Sequence, residues 1–332
     1  MLQTKELELF REGKNLLAFS GGSDSTALFF LLMENNIHFD IAIVDYQIRK
    51  ESKEEVAYAQ KLALTYNKQC YLHKAPLIER NFEASARQIR YSFFKELIDK
   101  YRYTTLITAH HLGDRFEWML MQFCKGAGCV ELAGMQSIQH YKDYTLVRPL
   151  LHLDKSELLH YLALKKIPFF EDHTNFDLSI TRNEFRHQYA TPLLKKHLAG
   201  IKKSFEYLDK DRSFFTQETS IHTIEECNYF LADMNTRSKI IMIDKILKEK
   251  GYMMSASQKK MLSINNTFIV GRRYLIVQHK SYLLITPYLD QKLTMPKPFK
   301  EQMRLLKVAP QLRPYLYTHP KVFAHLQQAL VL

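Results

Sequence analysis

The chain reads as an α/β protein, with a first domain built on a parallel sheet followed by a helical region and a small β appendage. Three features point there. Short apolar runs alternate with longer amphipathic ones through the first half, the order expected of strands and crossover helices. Runs such as Ile41-Ala42-Ile43-Val44 show no polar alternation, as in strands buried on both faces. At 332 residues the chain also exceeds the roughly 150 residues of one typical domain, so a second unit is expected.

Residues 15–19 read as a strand, 25–35 as a helix and 40–44 as the next strand. Apolar positions then recur at helical spacing over 52–66, 70–73 is strand-like, 83–101 is helical and 105–108 is again a strand. After Arg148-Pro149-Leu150, a helix over 155–166 starts at Asp154 or Ser156 and is stopped by Ile167-Pro168. A polar, turn-rich loop occupies 171–178. From about Thr191 the pattern changes to a long basic helical region reaching about Lys250, which puts a boundary near Pro192 and divides the chain into 1–192 and 193–332. Runs at 268–270, 274–278 and 282–286 predict a small antiparallel sheet with turns at Gly271 and Lys280-Ser281. Residues after about 292 carry no clear pattern.

Apolar residues make up 46% and aromatics 12%, enough to bury a core in each part and too much for a disordered chain. The longest apolar runs, such as 26–33, fall far short of the ~20 residues a membrane helix needs. The first six residues include an acid and have no apolar signal core, so no export and a cytoplasmic location are expected. Cys70, Cys124, Cys129 and Cys227 form no CxxC pair, which argues against a zinc site or a disulfide scaffold and for reduced thiols. Cys124 and Cys129 leave a sulfur-carrying role open, disfavoured by their spacing.

A net charge of +12 and a pI near 9.3 imply a polyanionic partner, unless lysine is merely abundant. Basic and aromatic residues interleave at Gly271-Arg272-Arg273-Tyr274 and Arg182-Asn183-Glu184-Phe185-Arg186-His187, which favours nucleic acid.

The strongest chemical signal is Ser20-Gly21-Gly22-Ser23-Asp24-Ser25, set between a strand and an apolar helix. Glycines allow close backbone approach, N–H groups at a helix start attract anions, and serine hydroxyls add donors, so the string predicts a phosphate cradle. It has neither the GxxxxGK[ST] nor the GxGxxG spacing. The bland alternative is a helix cap made by Ser20 and Ser23.

This loop resembles that of the PP-loop, or N-type ATP pyrophosphatase, superfamily. Within it the chain resembles the tRNA(Ile)-lysidine synthases. The likeness rests on Val44-Asp45-Tyr46-Gln47-Ile48-Arg49 with Ser52 and Glu55; on Ala86-Arg87 with Arg90-Tyr91; and on Thr108-Ala109-His110-His111 through Asp114, Glu117 and Lys125-Gly126-Ala127-Gly128. Arg148-Pro149-Leu150, and Asp172-His173-Thr174-Asn175 followed by Arg182-Asn183 and Arg186, complete it, over about 15–195. The resemblance implies a Rossmann-like fold that splits ATP between its α and β phosphates. It implies adenylation of the wobble cytidine of a tRNA(Ile) with anticodon CAU, and displacement of AMP by free lysine. Expected co-substrate and metal are ATP and Mg²⁺. Expected partners are that tRNA, lysine and, as an alternative to a monomer, a second copy of the chain; no membrane is expected.

Ser20, Gly21, Gly22, Ser23, Asp24 and Ser25 would then hold the nucleotide, with Asp24 as catalytic metal ligand. Asp45, at a strand end, either contacts nucleotide or metal or caps a turn. His111, Asp114 and Glu117 recur every three positions, so they share a helix face that either serves catalysis, holding the lysine ammonium or a metal, or is a solvated acidic surface. Arg182, Asn183 and Arg186 fall within about a helical turn and either clamp phosphate or make an ion-paired surface. Arg148 either neutralises pyrophosphate or forms a structural ion pair. The chain departs from the family pattern at Gly113, Arg115 and Trp118, where an aspartate, a glutamine and a threonine are usual. Rival readings are a tRNA 2-thiolation enzyme and a tRNA-binding relative without catalysis.

Overall fold

The computed structural model describes residues 1–47, 52–78, 82–170, 181–215, 220–290, 293–329 and 331. Two compact units divide it, Met1–Asp209 and Lys210–Leu332.

In the first unit, strand β1 (Asn15–Ala18) lies between β2 (Phe39–Asp45) and β4 (Thr105–Ile107), parallel to both. Strand β3 (Cys70–Lys74) extends the β2 side, and a hairpin of β5 (Ile138–His140) and β6 (Thr145–Val147) extends the β4 side. The order β3-β2-β1-β4-β6-β5 is parallel except for β5, and it reverses direction at β1. In such a sheet the crevice beyond the carboxyl ends of the two strands at the reversal receives ligands. That rule points to the segments following β1 and β4.

Successive residues of β1 serve opposite cores. Leu17 joins Leu28, Leu32 and Ile41 with helices α2 (Ser23–Glu34) and α3 (Ser52–Thr65) on one face. Leu16 joins Phe93, Phe94 and Leu97 of α4 (Phe82–Tyr101) on the other. Both residues are fully buried, which is why this strand shows no polar alternation. An amino-terminal helix, α1 (Thr4–Glu12), which no expected element covers, packs Phe10 into the first core.

The remaining elements of this unit are α5 (Leu112–Phe123), α6 (Cys129–Ala133), α7 (Lys155–Lys165), α8 (Thr181–Glu184), a π-helical turn Phe185–Ala190, and α9 (Thr191–Phe215). Asp154 caps α7 by accepting from the Ser156 N–H, the choice between Asp154 and Ser156 resolved in favour of the former. The compositional change near Pro192 falls at the start of α9.

The second unit corrects the expectation of unbroken helix to about Lys250. Strands β7 (His222–Ile224) and β8 (Cys227–Leu231) precede α10 (Thr236–Glu249) and join β9 (Thr267–Val270), β10 (Tyr274–His279) and β11 (Tyr282–Pro287) in the order β7-β8-β11-β10-β9. Residues 227–230 are all buried, so β8 has no alternation that would have separated it from a helix. Helix α10 covers one sheet face through Met242, Ile246 and Leu247. Helices α12 (Lys297–Leu305), α13 (Arg313–Thr318) and α14 (Pro320–Gln328), where the sequence showed no pattern, cover the other through Met303, Leu316 and Leu326. Among the described residues no helix is long and apolar enough to cross a membrane.

Candidate active site

The loop after β1 is shaped by its own hydroxyls. Ser25 Oγ accepts from the Ser20 N–H at 3.2 Å and donates to the Gly22 carbonyl at 3.2 Å, while Thr26 Oγ1 donates to the Gly21 carbonyl at 3.2 Å. Gly21 adopts φ +79°, a left-handed conformation that favours glycine, and its carbonyl accepts from the Phe170 N–H at 3.0 Å. Helix α2 is capped by Gly22, which offers no side-chain acceptor, so a serine cap is not what this string provides. The first-turn N–H groups of an apolar, buried helix lie at the carboxyl end of the central strand, the arrangement that attracts anions.

Asp24, on the first turn of α2, is about one-quarter exposed. Its Oδ2 lies 3.4 Å from Lys155 Nζ and 3.8 Å from His111 Nε2. Lys155 was not among the expected site residues; it comes from α7, far along the chain, and nothing local singles it out.

His111 follows β4 and caps α5. Its Nδ1 accepts from the Gly113 N–H at 2.9 Å, so the proton of the neutral ring sits on Nε2, which faces both Asp24 and Asp114, the latter at 3.7 Å. Asp114 Oδ2 in turn accepts from the His111 backbone N–H at 3.0 Å, closing a reciprocal cap.

Asp114 and Glu117 face two arginines. Arg182 Nη2 donates to Asp114 Oδ1 at 2.8 Å and its Nε to Glu117 Oε2 at 3.1 Å; Arg186 donates from Nε to Glu117 Oε1 at 2.6 Å and from Nη2 to Oε2 at 3.1 Å. Glu117 is 2% exposed, which fits a carboxylate with forked cationic donors. Burial alone would discourage charge on Asp114, but His111, His110, Arg182 and the His111 N–H outweigh it and hold the carboxyl well below the usual range. Burial likewise opposes charge on the two guanidinium groups, yet Asp114 and Glu117 keep Arg182, and Glu117 then Asp114 keep Arg186, above the ordinary value. Asn183 is buried on α8 between these arginines.

His110, present in the His-His pair but not among the expected site residues, accepts or donates to Thr108 Oγ1 through Nδ1 at 2.9 Å. Burial pushes its imidazole down to about 4, with Asp114 opposing and Arg148, Arg182 and Arg87 reinforcing. Arg148 is buried, donates from Nη1 to the Gln136 carbonyl at 2.9 Å, and has no hydrogen-bond partner for Nε among the described residues. Asp45 is buried, and its Oδ1 accepts from the Gln47 N–H at 2.8 Å and from Ser52 Oγ, the first residue of α3, at 2.9 Å.

The structure therefore gathers Asp24, His111, Asp114, Glu117, Arg182 and Arg186 into one connected set beside the loop, while Asp45 makes local turn bonds. Arg182 and Arg186 meet acids on α5 rather than the neighbouring Glu184. Ile48, Arg49 and the stretch Asp172-His173-Thr174-Asn175 lie outside the described residues. Cys124 is exposed at the end of α5 and Cys129 begins α6, whereas Cys70 and Cys227 sit in strands of different units.

Comparison with known proteins agrees with this arrangement. The PP-loop domain family, whose members use ATP, matches residues 2–193. A tRNA(Ile)-lysidine synthase of Helicobacter pylori is 45% identical over 94% of this chain and 91% of its own length. One of Campylobacter jejuni is 39% identical over 94% and 95%. The solved U34-tRNA thiolase NcsA of Methanococcus maripaludis, with its [4Fe-4S] cluster, superposes with a TM-score of 0.54 over 64% of this chain and 76% of its own, at 19% identity, a likeness of fold alone. With a glycine- and serine-rich loop opening onto a helix start at the sheet reversal and relatives matched across nearly its whole length, the chain belongs to the tRNA(Ile)-lysidine synthase family of PP-loop proteins.

Proposed function

We propose that the protein ligates lysine to C2 of the wobble cytidine in a tRNA(Ile) with anticodon CAU, consuming ATP and releasing AMP and pyrophosphate. The observation that carries the reading is the adjacency of the phosphate loop and the paired-charge cluster, joined through His111 between Asp24 and Asp114.

The reaction has two displacements. The cytidine O2 attacks the α-phosphorus, the bond to the bridging oxygen breaks and pyrophosphate leaves. A lysine amine then attacks C2, loses a proton, and the C2–O2 bond breaks as AMP departs. Loop N–H groups and the Ser20, Ser23 and Ser25 hydroxyls take up the charge that grows on the phosphates. His111 Nε2–H, held toward Asp24, is a further donor on that side. Asp114 and Glu117 attract an ammonium group while Arg182 and Arg186 receive a carboxylate, a set that complements a free amino acid.

The carboxylate of Asp24, part-exposed beside the loop, suits Mg²⁺, which favours one or two carboxylates together with phosphate oxygens. Such an ion would neutralise phosphate charge. Arg148, with an unpartnered buried Nε, is assigned to the pyrophosphate side. In this reading 1–192 is catalytic, 193–332 holds the tRNA, and a homodimer is tested by sedimentation.

The direct test incubates purified protein with Mg-ATP, radiolabelled lysine and a transcript of the CAU tRNA(Ile), followed by nucleoside analysis. Label in a modified cytidine is expected. AMP release without label would redirect the reading to another nucleophile, such as sulfur.

A further inference from the structure

Trp118 is the chain's single tryptophan. It lies one turn beyond Asp114 on α5, so it shares that residue's face of the helix. While Glu117 beside it is 2% exposed, Trp118 is 46% exposed.

A scattered exposed aromatic is ordinary and needs no function. This one rests on a prepared support. A Cβ on Gly134 would lie 3.0 Å from Trp118 Cδ1 and 3.6 Å from Nε1, so the indole packs directly over glycine backbone. Gly134 adopts φ +64° and ψ −134°, a conformation that other residues rarely take. The preceding Ala133 carbonyl is held by Arg115 through Nε at 2.9 Å and Nη2 at 2.7 Å, and Arg115 is itself anchored by Asp209 Oδ1 at 2.6 Å and lies over the Phe205 ring. Arg115 and Trp118 thus act on one structure: the first fixes the backbone on which the second lies.

We propose that Trp118 is a stacking platform for a base of the RNA substrate next to the reacting cytidine. The inference rests on the tRNA reading above. A rigid, supported and half-open indole offers a π-face to any base without hydrogen-bond readout. The helix carries it about 6 Å along its axis from Asp114, a rise comparable to one or two stacked nucleotides at roughly 3.4 Å each. The chain's charge of +12 favours an RNA over an apolar protein partner as the occupant.

The test uses the full chain and its own fluorescence, since all tryptophan emission comes from Trp118. Titration with the CAU tRNA(Ile) transcript is expected to quench that emission, with ATP or lysine alone leaving it unchanged. Trp118→Leu, which keeps an apolar contact to Gly134 but removes the π-face, is expected to raise KM for tRNA about 5- to 150-fold, the range of one base–aromatic stack, with ATP binding unchanged. Trp118→Phe should stay close to the unmodified protein. Absence of quenching, a KM for Trp118→Leu within twofold, or equal losses in both variants together with a lowered melting temperature would each overturn the proposal. If the unmodified protein makes no lysidine, the functional reading fails, but the tRNA titration still reads the platform.

Discussion

The imidazole of His111 occupies the space where a side chain at position 113 would begin: a Cβ on Gly113 would lie 2.6 Å from His111 Cε1 and 2.9 Å from Nδ1. The bare glycine at 113 is therefore coupled to the placement of His111. Gly113→Ala must displace the ring, break its bond to the Gly113 N–H and move Nε2 away from Asp24. A misplacement of about 1 Å can cost about 10²-fold in rate, so tRNA-dependent AMP release should fall on that scale. His111→Ala should fall comparably, and the double variant should lose little more, because both changes remove one arrangement.

Asp24→Asn keeps the shape of the first turn of α2 but removes the charge beside Lys155 and His111. It should abolish tRNA-dependent AMP release and leave tRNA binding within about twofold, since phosphate contacts elsewhere supply most of that affinity. Filter binding and AMP chromatography on the same preparation check both halves.

Glu117→Gln removes the more buried of the two carboxylates that Arg182 and Arg186 share, leaving Asp114 shared between them. A fully buried pair loses about 3–5 kcal/mol when one partner is removed; with Arg182 a third exposed, a loss of roughly 2 kcal/mol is expected in urea unfolding. KM for lysine should rise more than KM for ATP.

Replacing both Cys124 and Cys129 by alanine should leave lysine incorporation intact. Loss of incorporation with the fold retained by circular dichroism would revive the sulfur route.

Glu6 is fully buried on α1 with Oε1 unpartnered, and burial pushes its carboxyl up to about 7. Folded chains bind this proton between pH 4.5 and 7 while unfolded chains do not, so its contribution to stability is lost as pH rises through that window. His110, pushed down to about 4, has the opposite slope, contributing stability above about 6.5 that is lost as pH falls through 4. Glu6→Gln isolates the first effect. Its melting temperature should exceed that of the parent at pH 8, by a margin that shrinks toward pH 5.

Much of the first unit was legible because its cues are contiguous. The strand, loop and helix around Ser20–Ser25 follow one another in sequence, and buried strands such as 41–44 announce themselves by unbroken apolar residues. Where cues were ambiguous the pattern misleads: β7 and β8 sit in a stretch whose composition also suits helix, and only the pairing of β8 with β11 and of β7 with β8 selects strand. The terminal helices α12 to α14 are short and take their apolar faces from the sheet they cover.

By itself, then, the sequence determined most strands and helices of the first unit, the glycine-serine loop between β1 and α2, and the family. Tertiary structure alone decided that β1 and β4 are neighbours, so that Asp24 and His111, far apart in the chain, come within 3.8 Å. It also decided that Arg182 and Arg186 pair with Asp114 and Glu117, and that Arg115 steadies the backbone beneath Trp118. The physical reason is that local periodicity encodes which face of an element is buried, whereas strand order and the choice among ionic partners depend on contacts between residues distant in the chain.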